Sequence, residues 1–240
     1  MIEHRVEDGI GRLHLNDPGS RNAFTAEVAQ ALVAAIAAVA PEAGAVVLTA
    51  EPPVFCSGGN LDDLIEPKAP LSVIYEGFDA LRRCPVPTIA VVDGPAIGAG
   101  VNLPLACDIT VAGPGARFDP RFLDVGIHPG GGHLHALQQR VGRQGAAALS
   151  LCGDALTGEE AAAVGLAWRY ADDPLALALR FAKRAAGRDR ELVVRTKQTI
   201  DTDSEDPVAV EAEAQAWSMA RPGFADGVRR IKESLAKRRD

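Results

Sequence analysis

Two glycine-rich segments are the part of this sequence best suited to chemistry, because each directly follows an apolar run typical of a buried strand. They are Phe55–Leu61 (FCSGGNL) and Gly94–Gly100 (GPAIGAG). Small residues let a ligand approach the main chain closely, and a helix that begins there presents N–H groups without acceptors. Two such junctions on adjacent strands can direct two amides at one oxygen, as in an oxyanion hole. Either loop alone is explained by a tight turn; the two together favour a site.

Other catalytic motifs are missing from the sequence. It contains no P-loop, no GxSxG segment, and no GxGxxG that follows a strand and opens a helix. His133 and His135 lie two residues apart, and no carboxylate accompanies them at a spacing typical of metal ligands. We therefore predict no metal site, and we expect both histidines on an exposed helix face.

The segments that would position the two loops alternate between strands and helices. An Asp8-Gly9 turn within residues 6–15 predicts a hairpin. Continuous apolar runs predict buried strands at residues 45–49, 88–92 and 108–112, and helical periodicity predicts helices at 25–41, 71–81 and 99–107. This alternation predicts an α/β fold with a largely parallel sheet.

After Gly130 the pattern is almost entirely helical. Thr157 and Glu160 have the spacing of a capping box, and Asp173 and Asp206 each precede a proline that suits the first position of a helix. We predict a core of residues 1–191 and a C-terminal helical region of residues 192–240. Because one small sheet cannot cover so many helices, we expect the C-terminal region to pack on a neighbouring subunit.

Composition narrows the class of protein. The chain has 240 residues, of which 47% are hydrophobic and 24% charged, which is ordinary for a globular domain. Its net charge of −7 argues against nucleic acid as the main partner. No secretory signal or membrane-length apolar run is visible, and the four cysteines are scattered, as expected for reduced thiols. We expect a cytoplasmic protein that binds no membrane.

Several motifs, in this order, resemble those of the enoyl-CoA hydratase/isomerase (crotonase) family. They are Arg21–Phe24, Phe55–Leu61, Gly94–Gly100, Ala106–Asp108, Pro129–Gly132 and the later segment Leu156–Ala167. The resemblance implies a spiral of ββα units with a C-terminal helical region, assembled as trimers or pairs of trimers. It also implies acyl-CoA thioester substrates and an enolate intermediate, with no cofactor other than the coenzyme A of the substrate.

The resemblance also implies roles for individual residues. The amides of Gly59 and Ala99 would be the two donors of the oxyanion hole. Residues implied to bind the substrate are Arg21, Ala23, Ser57, Gly58, Asn60, Leu61 and Gly98.

The sequence departs from the family where its hydratases carry two catalytic glutamates. Those two positions are Asn102 and Phe122, which can contact substrate but cannot exchange a proton at neutral pH. A third position, used by some isomerases of the family, is Gly130. Asp124, His128 and His133 lie in or beside the stretch that the resemblance implies lines the acyl pocket. Asp124 and His128 are the candidate replacements, since an imidazole titrates near neutral pH. Each also has a structural interpretation: Asp124 as a surface or capping carboxylate, His128 as a turn residue.

The function that these residues favour is a lyase or isomerase acting on acyl-CoA. A crotonase-type decarboxylase or hydrolase is the alternative within the same chemistry, because the oxyanion hole would then do most of the work. From a different class, a non-catalytic acyl-CoA-binding protein would also retain the two loops without the glutamates. Turnover compared with binding on a panel of acyl thioesters separates these cases.

Overall fold

The chain begins with a β-hairpin whose turn is set by two residues. In the computed structural model, which describes residues 1–236, β1 (Ile2–Glu7) and β2 (Ile10–Leu15) pair antiparallel. Between them Asp8 and Gly9 have φ of 53° and 73°, the left-handed conformations that a two-residue hairpin turn requires. The predicted hairpin is confirmed.

Parallel strands extend the sheet from β2. Its further strands are β3 (Ala45–Ala50), β4 (Thr88–Val92), β6 (Ile109–Ala112) and β9 (Arg169–Tyr170), in the order β1-β2-β3-β4-β6-β9. All neighbours from β2 to β9 are parallel. The three buried strands predicted from apolar runs are β3, β4 and β6, so the α/β prediction is confirmed.

A second, smaller sheet was not predicted. Its strands are β5 (Pro95–Ile97), β7 (Arg117–Asp119) and β8 (Leu156–Thr157), in the order β5-β7-β8. β5 lies inside the segment predicted as a loop, and β8 and β9 interrupt the region predicted as helical. These strands have two or three residues each, too few to show an alternating pattern.

Helices cover the larger sheet. The first four are α1 (Ala26–Val39), α2 (Leu61–Ile65), α3 (Leu71–Arg82) and α4 (Asn102–Ala106). They are followed by α5 (His133–Leu151), α6 (Gly158–Ala163) and α7 (Pro174–Ala186). α1 packs on β1 and α3, and α7 buries Ala178 and Ala182 against Val47, Ile89 and Val111 on the sheet.

The predicted helix starts agree with the caps observed. Thr25 caps α1 by accepting from Val28 N–H at 3.3 Å. Thr157 and Glu160 form the predicted capping box of α6. The helix predicted over 99–107 is instead a 3-10 helix (Gly98–Val101) followed by α4, which ends where Cys107 turns extended.

The chain divides into two units, Met1–Arg188 and a second that begins at Asp189, close to the division predicted after residue 191. The second unit contains α8 (Arg190–Ile200), α9 (Pro207–Met219) and α10 (Phe224–Ala236). Within it the guanidinium groups of Arg195 and Arg221 lie over the Trp217 ring, 4.7 and 4.8 Å from its centroid. Residues 237–240 of the predicted C-terminal region lie outside the described residues.

None of the helices described in residues 1–236 is long and apolar enough to span a bilayer.

Candidate active site

The two glycine-rich loops lie side by side and are joined through the main chain. Cys56 N–H donates to Pro95 O at 3.1 Å, and Ile97 N–H donates to Cys56 O at 2.9 Å. The pair continues as a parallel bridge between Cys56 and Ala96. Backbone hydrogen bonds therefore fix the distance between the loops.

Glycine is required where the loops touch. Gly58 has φ of 91°, and a Cβ there would lie 2.6 Å from Ile97 O and 3.4 Å from Ala99 N. At Gly100 a Cβ would collide with the Cys56 carbonyl oxygen. These close approaches bring the segment next to Gly59 against the amide of Ala99.

Open space lies beside one of the two amides predicted as oxyanion donors, that of Gly59. Apart from its two chain neighbours, no atom of the described residues lies within 4 Å of the place where a Gly59 side chain would begin. Ala99 is the second residue of the 3-10 helix Gly98–Val101, and N–H groups in the first turn of a helix have no acceptor within it. Gly98 before it also faces open space.

The Arg21–Phe24 segment is bound to the first loop. Ser57 N–H donates to Arg21 O at 3.1 Å, and Phe24 N–H donates to Gly58 O at 2.7 Å. Of the residues predicted to bind substrate, Arg21, Ala23, Ser57 and Gly58 therefore lie together.

Asn22 holds this arrangement and was missed by the sequence analysis as a separate contributor. Its side-chain amide is buried and donates to Glu51 O at 2.8 Å and Val54 O at 2.7 Å, and its Oδ1 accepts from Asp17 N–H at 2.8 Å. One side chain thus ties three chain segments beside the first loop.

Gly59 lines a cavity of about 360 Å³ with a mainly apolar wall. Its side chains include Phe24, Leu64, Leu71, Ile74 and Ile127. Phe24 stacks on Phe78 with ring centroids 4.6 Å apart. The cavity therefore suits an apolar group that extends from a polar atom held at Gly59.

Asn60 forms one edge of this cavity, and Leu61 follows it as the first residue of α2. Asn60 caps α2 by accepting from Asp62 N–H at 2.8 Å and Asp63 N–H at 3.4 Å. Leu61 is exposed. Lys68 and Asp63, also at this edge, form an ion pair at 2.8 Å.

A larger cavity, of about 620 Å³, lies elsewhere and has a mixed lining that includes Arg5, Arg12, His14 and Asp173. We place the candidate site at the smaller cavity, because that cavity contains Gly59.

Asn102 and Phe122, the two positions at which the resemblance implies glutamates, meet at a buried histidine. His133 Nδ1 lies 2.7 Å from Asn102 Oδ1, and its ring contacts Phe122 edge-on with centroids 4.9 Å apart. The prediction that His133 is exposed is wrong: only 1% of it is exposed. Left-handed glycines at 131 and 132 precede α5, and its first residue, His133, lies in the protein interior. His135 is exposed as predicted.

Burial determines the charge of this histidine. Desolvation lowers the pKa of His133 from 6.5 to about 4, because a charged imidazolium loses its hydration inside the protein. His133 is therefore neutral at physiological pH. His133 and Leu137 are four residues apart and both buried, so the helical periodicity of this segment is the signal that could have found it.

Asp124 and His128, the predicted acid/base candidates, are both exposed. Asp124 lies in the 3-10 helix Leu123–Val125. His128 Nδ1 lies 2.7 Å from its neighbour's carbonyl, Pro129 O. Their catalytic roles stay predictions.

Cys56, between the loops, is not a nucleophile in this state, because burial raises the pKa of its thiol to about 12.

Comparisons with known sequences give a consistent result. The family model described as enoyl-CoA hydratase/isomerase matches residues 5–233. The chain is 43% identical over 204 residues to Probable enoyl-CoA hydratase EchA14 of Mycobacterium tuberculosis, covering 81% of this chain and 79% of that protein. It is 30% identical to 2,3-dehydroadipyl-CoA hydratase of Escherichia coli, over 83% of this chain and 80% of that protein.

Solved structures agree. An enoyl-CoA hydratase from Polaromonas superposes with a TM-score of 0.89 at 30% identity, covering 97% of each chain. An enoyl-CoA hydratase from Streptomyces coelicolor superposes with a TM-score of 0.88 at 29% identity, covering 97% of this chain and 91% of that one. The predicted crotonase-like fold and the predicted resemblance are confirmed.

Proposed function

The chain belongs to the enoyl-CoA hydratase/isomerase family, and on that premise we propose that it binds an acyl-CoA thioester with the carbonyl oxygen between the amides of Gly59 and Ala99. Removing a proton next to a thioester, or adding a nucleophile to its conjugated double bond, places negative charge on that oxygen. Fixed backbone donors stabilise such charge without reorganising, and each is worth about 3–4 kcal/mol. The reaction proceeds through the enolate.

One observation carries this proposal: the two loops are joined by the Cys56–Ala96 bridge with no room for a side chain between Gly58 and Ile97. That contact sets the Gly59 and Ala99 amides on neighbouring turns. The cavity in front of Gly59 leaves space for the thioester and its acyl group.

The acyl group is expected to be apolar where it meets the protein. Phe24, Leu64 and Ile74 line the cavity wall, and burying apolar surface contributes about 25 cal/mol per Å². Outside the cavity, Arg21 is exposed and its backbone binds Ser57, so its guanidinium suits a phosphate of coenzyme A.

Replacing Ala99 tests the amide directly. We expect Ala99→Pro, which removes the N–H, to lower kcat/KM for enoyl-CoA substrates by about 10²–10³-fold. Ala99→Gly retains the N–H and is the matched control, with activity within a few-fold of wild type. Steady-state kinetics on a panel of 2-enoyl and 3-enoyl thioesters, with calorimetric binding, measures both. Undiminished turnover in a folded Ala99→Pro protein would refute the assignment.

A non-catalytic acyl-CoA-binding function is the second candidate, and one observation favours it. Asn102 and Phe122 stand where hydratases of the family have glutamates, and both ends of the Asn102 amide are used inside the protein, toward Gly130 O and His133. Calorimetric binding of acyl-CoA without turnover of any thioester in the panel would establish this second function.

A further inference from the structure

The geometry points to Nε2 of His133 as the atom that accepts and returns the proton in the proposed site. This inference rests on the proposed function: it supplies the acid/base group that Asn102 and Phe122 cannot. It also selects a reaction, the shift of a double bond from C3–C4 to C2–C3 of an acyl thioester.

The hydrogen bonds of Asn102 fix the tautomer of the imidazole. Asn102 Nδ2 donates to Gly130 O at 3.0 Å, so its Oδ1 is the end that faces His133 Nδ1 at 2.7 Å. An amide oxygen only accepts, and therefore Nδ1 carries the hydrogen. Nε2 is left with its lone pair, which is the form of a base.

That lone pair has no protein partner. Nε2 is buried and makes no hydrogen bond with any of the described residues. Leaving a buried polar atom unpaired costs free energy that a merely structural residue would avoid. An apolar side chain could fill the space without that cost.

Asn102 and Phe122 link His133 indirectly to both parts of the proposed site. Asn102, which holds Nδ1, donates its N–H to the Ala99 carbonyl, so the histidine is held by the residue one turn after the proposed oxyanion donor. On its other side the ring touches Phe122, whose carbonyl accepts from Ile127 N–H at 3.1 Å. Ile127 lines the cavity.

Burial keeps His133 neutral. The ring contacts Asn102 of α4 and Phe122, and the glycines before it, Gly130 and Gly132, lie against Tyr75 and Arg82 of α3. Arg82 pairs with Asp79 at 2.7 Å. With its pKa lowered to about 4, the imidazole has about the basicity of the glutamate that it would replace.

One base with no co-reactant suffices for the double-bond shift. Nε2 takes a proton from C2 of a 3-enoyl thioester, and the C–H electron pair delocalises into a dienolate whose oxygen accepts from Gly59 and Ala99. The imidazolium then returns that proton to C4, and the electrons form the C2–C3 double bond. His133 ends neutral, and no atom is gained or lost.

The experiment uses the full chain with 3-hexenoyl-CoA for turnover and hexanoyl-CoA for calorimetric binding. We expect wild type to convert the 3-enoyl to the 2-enoyl thioester, and His133→Gln and His133→Asn to lose at least 10²-fold in kcat while binding hexanoyl-CoA within a few-fold of wild type. His135→Asn, on the same helix but exposed, is the matched control with unchanged kcat.

A wild-type measurement keeps the inference testable if the variants fail to fold. With substrate deuterated at C2, a base sealed from water should carry part of the label to C4. Complete loss of the label to solvent, or full turnover in folded His133→Gln, would overturn the inference and leave the proposed function standing. So would loss of turnover in Asp124→Asn or His128→Gln instead. Wild type that neither binds hexanoyl-CoA nor turns over any thioester would overturn both.

Discussion

At the scale of single residues, His133 links protonation to stability as well as to chemistry. Its pKa is lowered from 6.5 to about 4 by burial. Between pH 6.5 and pH 4 this imidazole therefore binds a proton in the unfolded chain but not in the folded protein. Stability therefore falls as pH drops through this range. We expect the titration of His133 to lower the unfolding free energy by about 3 kcal/mol as the pH falls from 6.5 to 4.

Urea unfolding of wild type and His133→Gln across this pH range measures the effect. Glutamine does not titrate, so the stability of the variant should decline less steeply toward pH 4. His135→Asn should keep the wild-type slope, since that side chain is exposed. Parallel curves for wild type and His133→Gln would show that His133 is protonated at its ordinary pKa.

Residue types alone indicated the two glycine-rich loops as a candidate site. The family resemblance implied Gly59 and Ala99 as the donors within them, and that role stays a prediction. His133 was predicted to be exposed although its spacing of four residues from Leu137 places both on the buried face of α5. The two left-handed glycines that precede this helix are not specified by the sequence pattern.

At the scale of elements, the contact between the two loops should be sensitive to a single methyl group. A Cβ at Gly100 would collide with the Cys56 carbonyl, whereas one at Gly59 would meet open space. We expect Gly100→Ala to lower the unfolding free energy by about 1–3 kcal/mol and Gly59→Ala to change it little. Chemical denaturation compares the two. Equal stability in both variants would show that the loops can separate without cost.

Elements with a strong local signal were predictable, and short ones were not. β3 and β4 are apolar runs buried on both faces. Thr25 and Thr157 indicate the starts of the helices that they cap. β5 was missed because its ladder partner is Arg117–Asp119, distant in the chain. Pairing of that kind depends on tertiary structure rather than on local pattern.

At the scale of the whole molecule, the second unit carries apolar side chains that a monomer would leave in water. Ile200 and Val208 are 77% and 73% exposed, and α9 has no buried residue. We propose that a neighbouring copy covers them, in trimers or pairs of trimers. Sedimentation should give three or six chains, and Ile200→Asp with Val208→Asp should shift the protein toward monomer.

Gln198→Asp, an exposed position on α8, is the matched control and should keep the wild-type mass. A wild-type protein that sediments as a single chain would refute the proposed assembly. The sequence supports this expectation only through the number of helices after residue 191. Hydrophobic periodicity does not distinguish a face buried within the chain from a face buried against another subunit.

The bridge between Cys56 and Ala96 holds the two loops together through the main chain. Charge stabilisation and proton transfer can therefore change independently in evolution. In the proposed site, charge stabilisation depends on peptide groups, which every mutation preserves except one to proline or one that forces the strands apart. Proton transfer in that site depends on the side chain of His133, which α5 carries. A lineage can therefore exchange its base, and with it the reaction, without rebuilding the electrostatic part of the catalyst.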